Sequence, residues 1–521
     1  MSTTAILQRP TATRAGLSFG PSSWECVVLV AISAAFLLTE TPAAANRPFW
    51  FDELSSLFIT QRPTLADMFR AMPADGNPPL YFLLARLCLH LPVSTELAMR
   101  LPSIAAFHAT ALAAFLFVRR VASAPAALLT MCFLLGSAIG DCYAIEARGY
   151  SLLLFFTMGL LCCWQAARRG QRRRLALAGV AACASCAVLT HQYGIVYALA
   201  PIFAAETVVW FSVRRVDLYA LAAAVLGSLT IALTFPPMLR AQKTLLAAIA
   251  ACPHFFFRPQ LWEMGLYGEM FPTFVPILIL FVVGIEVSLK ALLARRRFFS
   301  SERSSALPEE FAAANMLVLF LPLMLLLTSL GTRYFVSRYA IGSTLGLALT
   351  CGLLASYMEF RLPHIHKVIY VAVLYCVTSG MLRFYFEAHP KTPSDYGNSL
   401  FSMIPASEPI VIESAINFSP AWWYAIPGVR HRLHYLSDIS FTQQNIDVLP
   451  EYCLWVERQY TPMQMDDYNS FVAEHHHFLV YSVGQWRQEW LRLRLLKSGW
   501  TLRLVSKGKS GALYEATAPG R

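Results

Sequence analysis

Charge is what this sequence is short of. Only 14% of its 521 residues are Asp, Glu, Lys or Arg, while 56% are hydrophobic and the mean hydropathy is +0.50. Soluble domains carry nearly twice that charge. A water-soluble globular protein is therefore excluded, and lipid is the solvent for most of the chain. Internal repeats and low-complexity tracts are also missing. The twelve cysteines fall mostly inside apolar runs (Cys132, Cys162, Cys163, Cys183, Cys186, Cys351, Cys376). They indicate neither a disulfide framework nor a metal set and read as small hydrophobes. The formal net charge of +11 would suggest a nucleic-acid partner in a soluble protein. Here the arginines sit in short loops between apolar runs, so the basicity sets topology and implies no nucleic acid.

What is present is a series of apolar runs. About 20 apolar residues cross the hydrocarbon, and that length picks out 24–45, 100–118, 121–139, 149–167, 175–190, 194–212, 217–236, 272–292, 313–330, 336–357 and 368–386. Threaded in order, these eleven spans put Arg119/Arg120, Arg168 to Arg174, Arg214/Arg215, Lys290 with Arg295 to Arg297, and Arg361/Lys367 on one side. By the positive-inside rule that side is the cytoplasm, with the N-terminus inside and the tail outside. The fold class expected is an all-α polytopic membrane protein with a small C-terminal extracytoplasmic α/β domain. Its expected parts are a cytoplasmic N-terminus (1–23), a membrane domain (24–386) and a soluble domain (387–521). The first run, with Ala43-Ala44-Ala45 after it, also resembles a signal peptide, but it is long enough to span.

Two outer loops are long. The first, Asn46 to Met99 (46–99), holds helix-like pieces, including Pro79 to Leu91, which is too short to cross and reads as interfacial. The second, 237–271, is aromatic-rich and suits a lid at the membrane surface. In the tail, Pro409 to Glu413, Phe478 to Val483 and Thr501 to Ser506 read as strands.

Polar groups are costly at membrane depth, so their placement is informative. Acids and bases collect at the outer helix mouths: Asp52 and Glu53; Asp141, Glu146 and Arg148; His191 and Tyr193; Arg333, Arg338 and Tyr339. A sugar on a polyprenyl phosphate has a leaving group that guanidinium groups stabilise. It needs no general acid. The acceptor hydroxyl needs one carboxylate to take its proton, unlike the two of glycoside hydrolysis. Attack opposite the phosphate inverts the anomeric centre.

Phe49-Trp50-Phe51-Asp52-Glu53-Leu54, Asn77-Pro78-Pro79-Leu80-Tyr81, Arg100-Leu101-Pro102-Ser103, Glu146-Ala147-Arg148-Gly149-Tyr150, Thr190-His191-Gln192-Tyr193-Gly194 and Ser337-Arg338-Tyr339 follow one another in order. Together they resemble the bacterial protein-mannosyltransferase-like and aminoarabinose-transferase-like glycosyltransferases of the GT-C fold, over residues 24 to 385. That resemblance implies transfer of a sugar from an undecaprenyl or dolichyl phosphate donor to an extracytoplasmic acceptor (protein, lipid A or cell-envelope glycan) at a bacterial inner membrane. It implies Asp52 as catalytic base with Glu53 beside it, and Arg148, Arg338 and Tyr339 at the donor phosphate. Asn77, Glu146, Tyr150, His191 and Tyr193 are further pocket candidates. Relatives often carry His-Pro-Pro where this chain has Asn77-Pro78-Pro79, and Asn cannot be a cation. The transfer is expected to be metal-independent or weakly dependent on a divalent metal; His475-His476-His477 has no flanking Cys or paired acid at ligand spacing.

Each residue also has a blander reading. Asp52 and Glu53 can cap a helix, Glu146 and Arg148 can pair with each other, Arg338 can snorkel to the interface, and His191 can be structural. Two rival functions remain open: a lipid or solute transporter, which predicts a polar track through the spans, and a non-catalytic scaffold centred on the soluble tail.

Overall fold

The computed structural model describes residues 22–251, 308–330, 337–359, 361–362, 364–389, 395–404, 408–445, 449–484 and 489–520, with a few positions between 275 and 282. The expected span at 272–292, loop residues 252–271, the N-terminal 1–21, Arg333 and the Arg295 to Arg297 cluster lie outside them.

Apolar runs become helices because lipid leaves the backbone no partner but itself. The long helices are α1 (Ser23–Asn46), α5 (Thr95–Arg119), α8 (Tyr150–Arg168), α9 (Arg173–Thr190), α10 (Gly194–Val213), α11 (Leu218–Ser228) running into α12 (Ile231–Ala251), α15 (Gly342–Glu359) and α16 (Ile365–Ala388). Between α1 and α5 lie α2 (Phe51–Thr60), α3 (Leu65–Asp75) and α4 (Leu80–Cys88); α6 (Ala124–Leu135) and α7 (Ala138–Ala144) precede α8, and α13 (Pro308–Val318) and α14 (Phe320–Leu330) precede α15. Among the described residues eight helices are long and apolar enough to cross a membrane, or nine if the bent pair α13 and α14 is one span. The chain is a multi-span membrane protein.

Three expectations are corrected. The span at 121–139 is α6, only 12 residues long. At about 1.5 Å per residue it is too short to cross. It ends because Gly136-Ser137 interrupts the apolar run, and Ser137 accepts the Gly140 N–H at 3.0 Å to start α7. All of α6 but Pro125 is buried, so it is a core element of the bundle. The span at 313–330 bends by 52° between α13 and α14. Pro322 lacks an N–H and crowds the carbonyl four residues back, which breaks the ladder there. The second outer loop is helical in its first part, since α12 runs to Ala251; the Ala- and Leu-rich stretch after Pro237 is strongly helix-favouring.

Cys183 and Cys186, spaced as a Cys-x-x-Cys, are free thiols within α9. Helix α1 continues unbroken through the Ala43 to Ala45 stretch, with Ala43 and Ala44 buried. Its Phe36 packs edge-on against Phe384 of α16 at 6.5 Å.

The tail holds a six-stranded sheet of β1 (Ile410–Ile412), β2 (Leu433–Ser437), β3 (Gln464–Asp467), β4 (His477–Ser482), β5 (Thr501–Lys507) and β6 (Ala512–Thr517), in the order β3-β2-β1-β4-β6-β5. The first four are parallel, and β6 and β5 close the edge as an antiparallel hairpin. Helices α17 (Ala415–Trp423) and α18 (Leu449–Glu457) cover one face and reach the outer-loop helices. One apolar core joins both parts, with Leu54, Leu57 and Phe58 of α2 clustered with Phe418, Trp422 and Leu454.

Candidate active site

Helix α2 starts the site. Its first turn carries Asp52 and Glu53, acids that the unpaired N–H groups of a helix start favour. The two acids have opposite fates. Glu53 is fully buried, paired with Arg100 of α5 through Nε–Oε1 at 2.9 Å and Nη2–Oε2 at 2.6 Å. It also accepts the backbone N–H groups of Ala147 at 2.7 Å and Trp50 at 3.3 Å. Every lone pair it offers is engaged. Arg100 spends its other donors on the carbonyls of Ala44, Arg47 and Pro48. Glu53 therefore binds α1, α2, α5 and the Ala147 loop together. Asp52 remains 15% exposed, the only one of the two that a solute reaches.

Asp52 faces both expected arginines. Its Oδ2 lies 2.7 Å from Arg338 Nη2 and 4.0 Å from Arg148 Nη2. Arg338 comes from a 3-10 turn (Ser337–Ala340) just before α15. Tyr197 of α10 fixes that turn, donating its hydroxyl to the Tyr339 carbonyl at 2.9 Å and accepting the Gly342 N–H at 2.8 Å. Among the described residues Arg338 Nε has no acceptor. The guanidinium stands over the Trp50 ring at 5.4 Å.

Arg148 sits in the tight segment between α7 and α8. Gly149 is required there, because a Cβ would come within 2.9 Å of Thr190 Cγ2 at the end of α9. A Cβ on Gly194 would likewise meet the Ala187 carbonyl oxygen at 2.2 Å, so the turn from α9 to α10 closes tightly beside Arg148. Ser103 of the Arg-Leu-Pro-Ser block holds the Arg148 carbonyl at 2.9 Å. Arg148 Nη1 donates to Asp75 at 2.6 Å, Ser56 Oγ at 2.9 Å and the Asp52 carbonyl at 3.3 Å. Its expected partner in the bland reading, Glu146, does not pair with it.

Asp75, at the end of α3, was not singled out in the sequence. It is an acid beside the Asn-Pro-Pro block, and that position was the available signal. It takes a second hydrogen bond from Asn77 Nδ2 at 2.7 Å. Asn77 thus donates, the one role left to it without a charge.

The remaining candidates form an aromatic wall. His191 stacks on Tyr193 at 5.6 Å and lies 5.7 Å from Tyr150 and 5.5 Å from Tyr339; Tyr193 and Tyr339 are 5.2 Å apart. His191 Nδ1 accepts the Tyr193 N–H at 3.2 Å, so the neutral ring carries its proton on Nε2. Burial, with Arg148 and Arg338 nearby, pushes its pKa down to about 3, and the ring is neutral. Glu146 is buried, and among the described residues its Oε1 has no partner. Burial and the Glu53 charge push it up to about 7. Asp141 lies apart, closed on Arg383 of α16.

Asp52, Glu146, Arg148, Tyr150, His191, Tyr193, Arg338 and Tyr339 therefore lie together where the starts of α2, α8, α10 and α15 meet, with Asn77 on Asp75 and Glu53 turned to Arg100. Among the described residues no three His, Cys, Asp or Glu side chains are placed to hold a metal ion. His477 instead lies between Glu515 at 2.8 Å and Glu408 at 3.7 Å.

No protein-family model and no curated protein sequence matches the chain. Solved structures do. ArnT from Cupriavidus metallidurans in the apo state superposes with a TM-score of 0.57 at 13% identity, covering 95% of this chain and 98% of that one. The same protein bound to undecaprenyl phosphate gives 0.54 at 14% identity over the same shares. This chain has the GT-C fold. An oligosaccharyltransferase from Archaeoglobus fulgidus is a looser likeness, with a TM-score of 0.43 at 13% identity over 94% of this chain and 73% of that one. The likeness to ArnT runs through the C-terminal sheet region as well, which the sequence blocks did not reach.

Proposed function

We propose that this protein is an inverting glycosyltransferase that moves a sugar from a polyprenyl monophosphate, such as undecaprenyl phosphate, to an extracytoplasmic acceptor at a bacterial inner membrane. The observation that carries the proposal is one partly open carboxylate, Asp52, set between two arginines with donors to spare. The undecaprenyl phosphate bound to ArnT supports a lipid-phosphate ligand for the shared fold.

Arg148 and Arg338 receive the donor phosphodiester. Their guanidinium forks stabilise the charge that develops as the bond between the sugar C1 and the phosphate oxygen breaks. The electron pair leaves with polyprenyl phosphate. The acceptor oxygen attacks C1 from the opposite face, and its proton passes to Asp52. Donor binding also matters to the base, because a phosphate on Arg338 competes with the carboxylate that now holds it. Neutral His191, with Tyr150, Tyr193 and Tyr339, forms an uncharged face suited to a sugar ring. Glu53 positions Asp52 and takes no proton.

The transporter reading finds less support. Acids within the bundle close on bases of neighbouring helices, Glu40 on His108 at 2.7 Å, Glu25 on Arg119 at 2.8 Å and Glu206 on Arg168 at 3.0 Å, rather than lining a path. The test is transfer of label from polyprenyl-phosphate-linked sugars into product by membranes holding wild type or Asp52→Asn. Transfer by wild type alone is expected; equal transfer by both would remove Asp52 as the base.

A further inference from the structure

The soluble tail touches the site through one buried side chain. Glu457, the last residue of α18, extends towards α2 and accepts the Ser55 hydroxyl. The next residue, Ser56, accepts Arg148 Nη1 at 2.9 Å. Asp52 lies one turn before Ser55 and Ser56 on the same helix, so the three share the strip of α2 that separates the arginines from the tail. Glu457 is buried in the molecule. Burial pushes its pKa up to about 8; the Ser55 hydrogen bond opposes this, the Asp75 and Asp52 charges add to it, and Arg148 opposes it.

The other faces of α2 rest on the tail as well. Phe58 packs edge-on to Trp422 at 6.2 Å and Trp423 at 5.9 Å. Tyr424 accepts the Phe49 N–H at 2.7 Å and donates to Glu96 at 3.1 Å. Arg62, just past the helix, donates to the Tyr460 carbonyl at 3.2 Å. Arg148 and Arg338, by contrast, stand in the segments leading into α8 and α15, whose backbones are held by Ser103 of α5 and Tyr197 of α10, elements of the bundle. The base-bearing helix thus rests on the tail, while the backbones of the phosphate-binding arginines are held by the bundle and only the Arg148 side chain reaches α2.

We infer that the C-terminal domain is a working part of the active site, and that Glu457 is a positioning residue that sets Asp52 against the arginines through its hydrogen bond to Ser55. This rests on the transferase reading above. Loss of the bond lets α2 shift, and a displacement of about 1 Å at a reacting group costs on the order of a hundredfold. The loss falls mainly on kcat, because the bundle keeps the backbones of both donor-binding arginines in place.

The experiment uses the full-length protein in detergent, with Ser55→Ala, Glu457→Ala, the double variant and Glu457→Gln, each assayed for kcat and donor KM with polyprenyl-phosphate-linked sugar. Each alanine variant is expected to lose about tenfold to a hundredfold in kcat with donor KM nearly unchanged. The double variant should be no worse than the worse single one, since both remove the same bond. Glutamine, which keeps an acceptor oxygen, should restore most of what alanine removes. Independent, multiplying losses, or a Gln variant as poor as Ala, would overturn the inference while wild type remained active. If Glu457→Ala does not accumulate, Ser55→Ala must still show the kcat loss, and its absence overturns the inference. A wild-type protein with no transfer overturns the transferase reading itself and this inference with it.

Discussion

Asp52 Oδ2 and Arg338 Nη2 stand 2.7 Å apart, joining helix α2 to the turn before α15. In the transferase proposed above the carboxylate would take the acceptor's proton and the guanidinium the donor phosphate, and in this structure each occupies the other. Asp52→Asn should lower kcat by about a thousandfold, within the range for loss of a general base. Removing the competing charge should also leave undecaprenyl phosphate binding as tight as before or tighter. Turnover and lipid-phosphate binding, measured on one preparation, check both.

Arg148 uses one nitrogen on Asp75, Ser56 and the Asp52 carbonyl, and among the described residues Arg338 Nε has no acceptor. Lysine retains the charge but not the fork. Arg338→Lys should raise donor KM by about ten- to a hundredfold, the worth of one to two charge-assisted hydrogen bonds. Steady-state kinetics with donor varied at saturating acceptor would show it.

Glu53 and Arg100 are both fully buried and paired. Leaving either alone costs about 3–5 kcal/mol. Arg100→Ala and Glu53→Ala should therefore lower the unfolding temperature and the yield from membranes, whereas Asp52→Asn should leave both near wild type. Thermal unfolding in detergent separates the two acids.

Glu146 gives a pH signature. Burial pushes its folded pKa up to about 7 from an ordinary value of 4.5. Between those two values the folded protein binds more protons than the unfolded one, so stability falls as pH rises. Glu146→Gln should remove this slope, becoming more stable than wild type above pH 8 by about 3 kcal/mol and indistinguishable near pH 4. Unfolding temperatures across pH 4 to 9 test it.

The sequence was most informative where one physical constraint acted alone. Lipid demands long apolar helices, and α1, α8, α9, α10 and α16 begin and end within a few residues of the runs that mark them. It was least informative where two signals competed. At α6 the apolar run was long enough to span, but Ser137 capped a new helix inside it. At α14 Pro322 bent an otherwise continuous run. In the tail β1, β4 and β5 were visible as apolar stretches, while β3, Gln464–Asp467, is polar and is a strand only because β2 pairs with it.

The site divides in the same way. Sequence alone determined that acids, arginines and aromatic residues would gather at the helix mouths of one face, because apolar spans leave them nowhere else to go. Which acid is open and which is closed was decided by tertiary structure. Asp52 and Glu53 are adjacent in the chain, but one α-helical step of about 100° turns Glu53 towards Arg100 and leaves Asp52 facing Arg338. The same holds for Asp75 and Glu457, brought to α2 from different parts of the chain. Their partners are set by packing between elements far apart in sequence, and no local pattern encodes a distance.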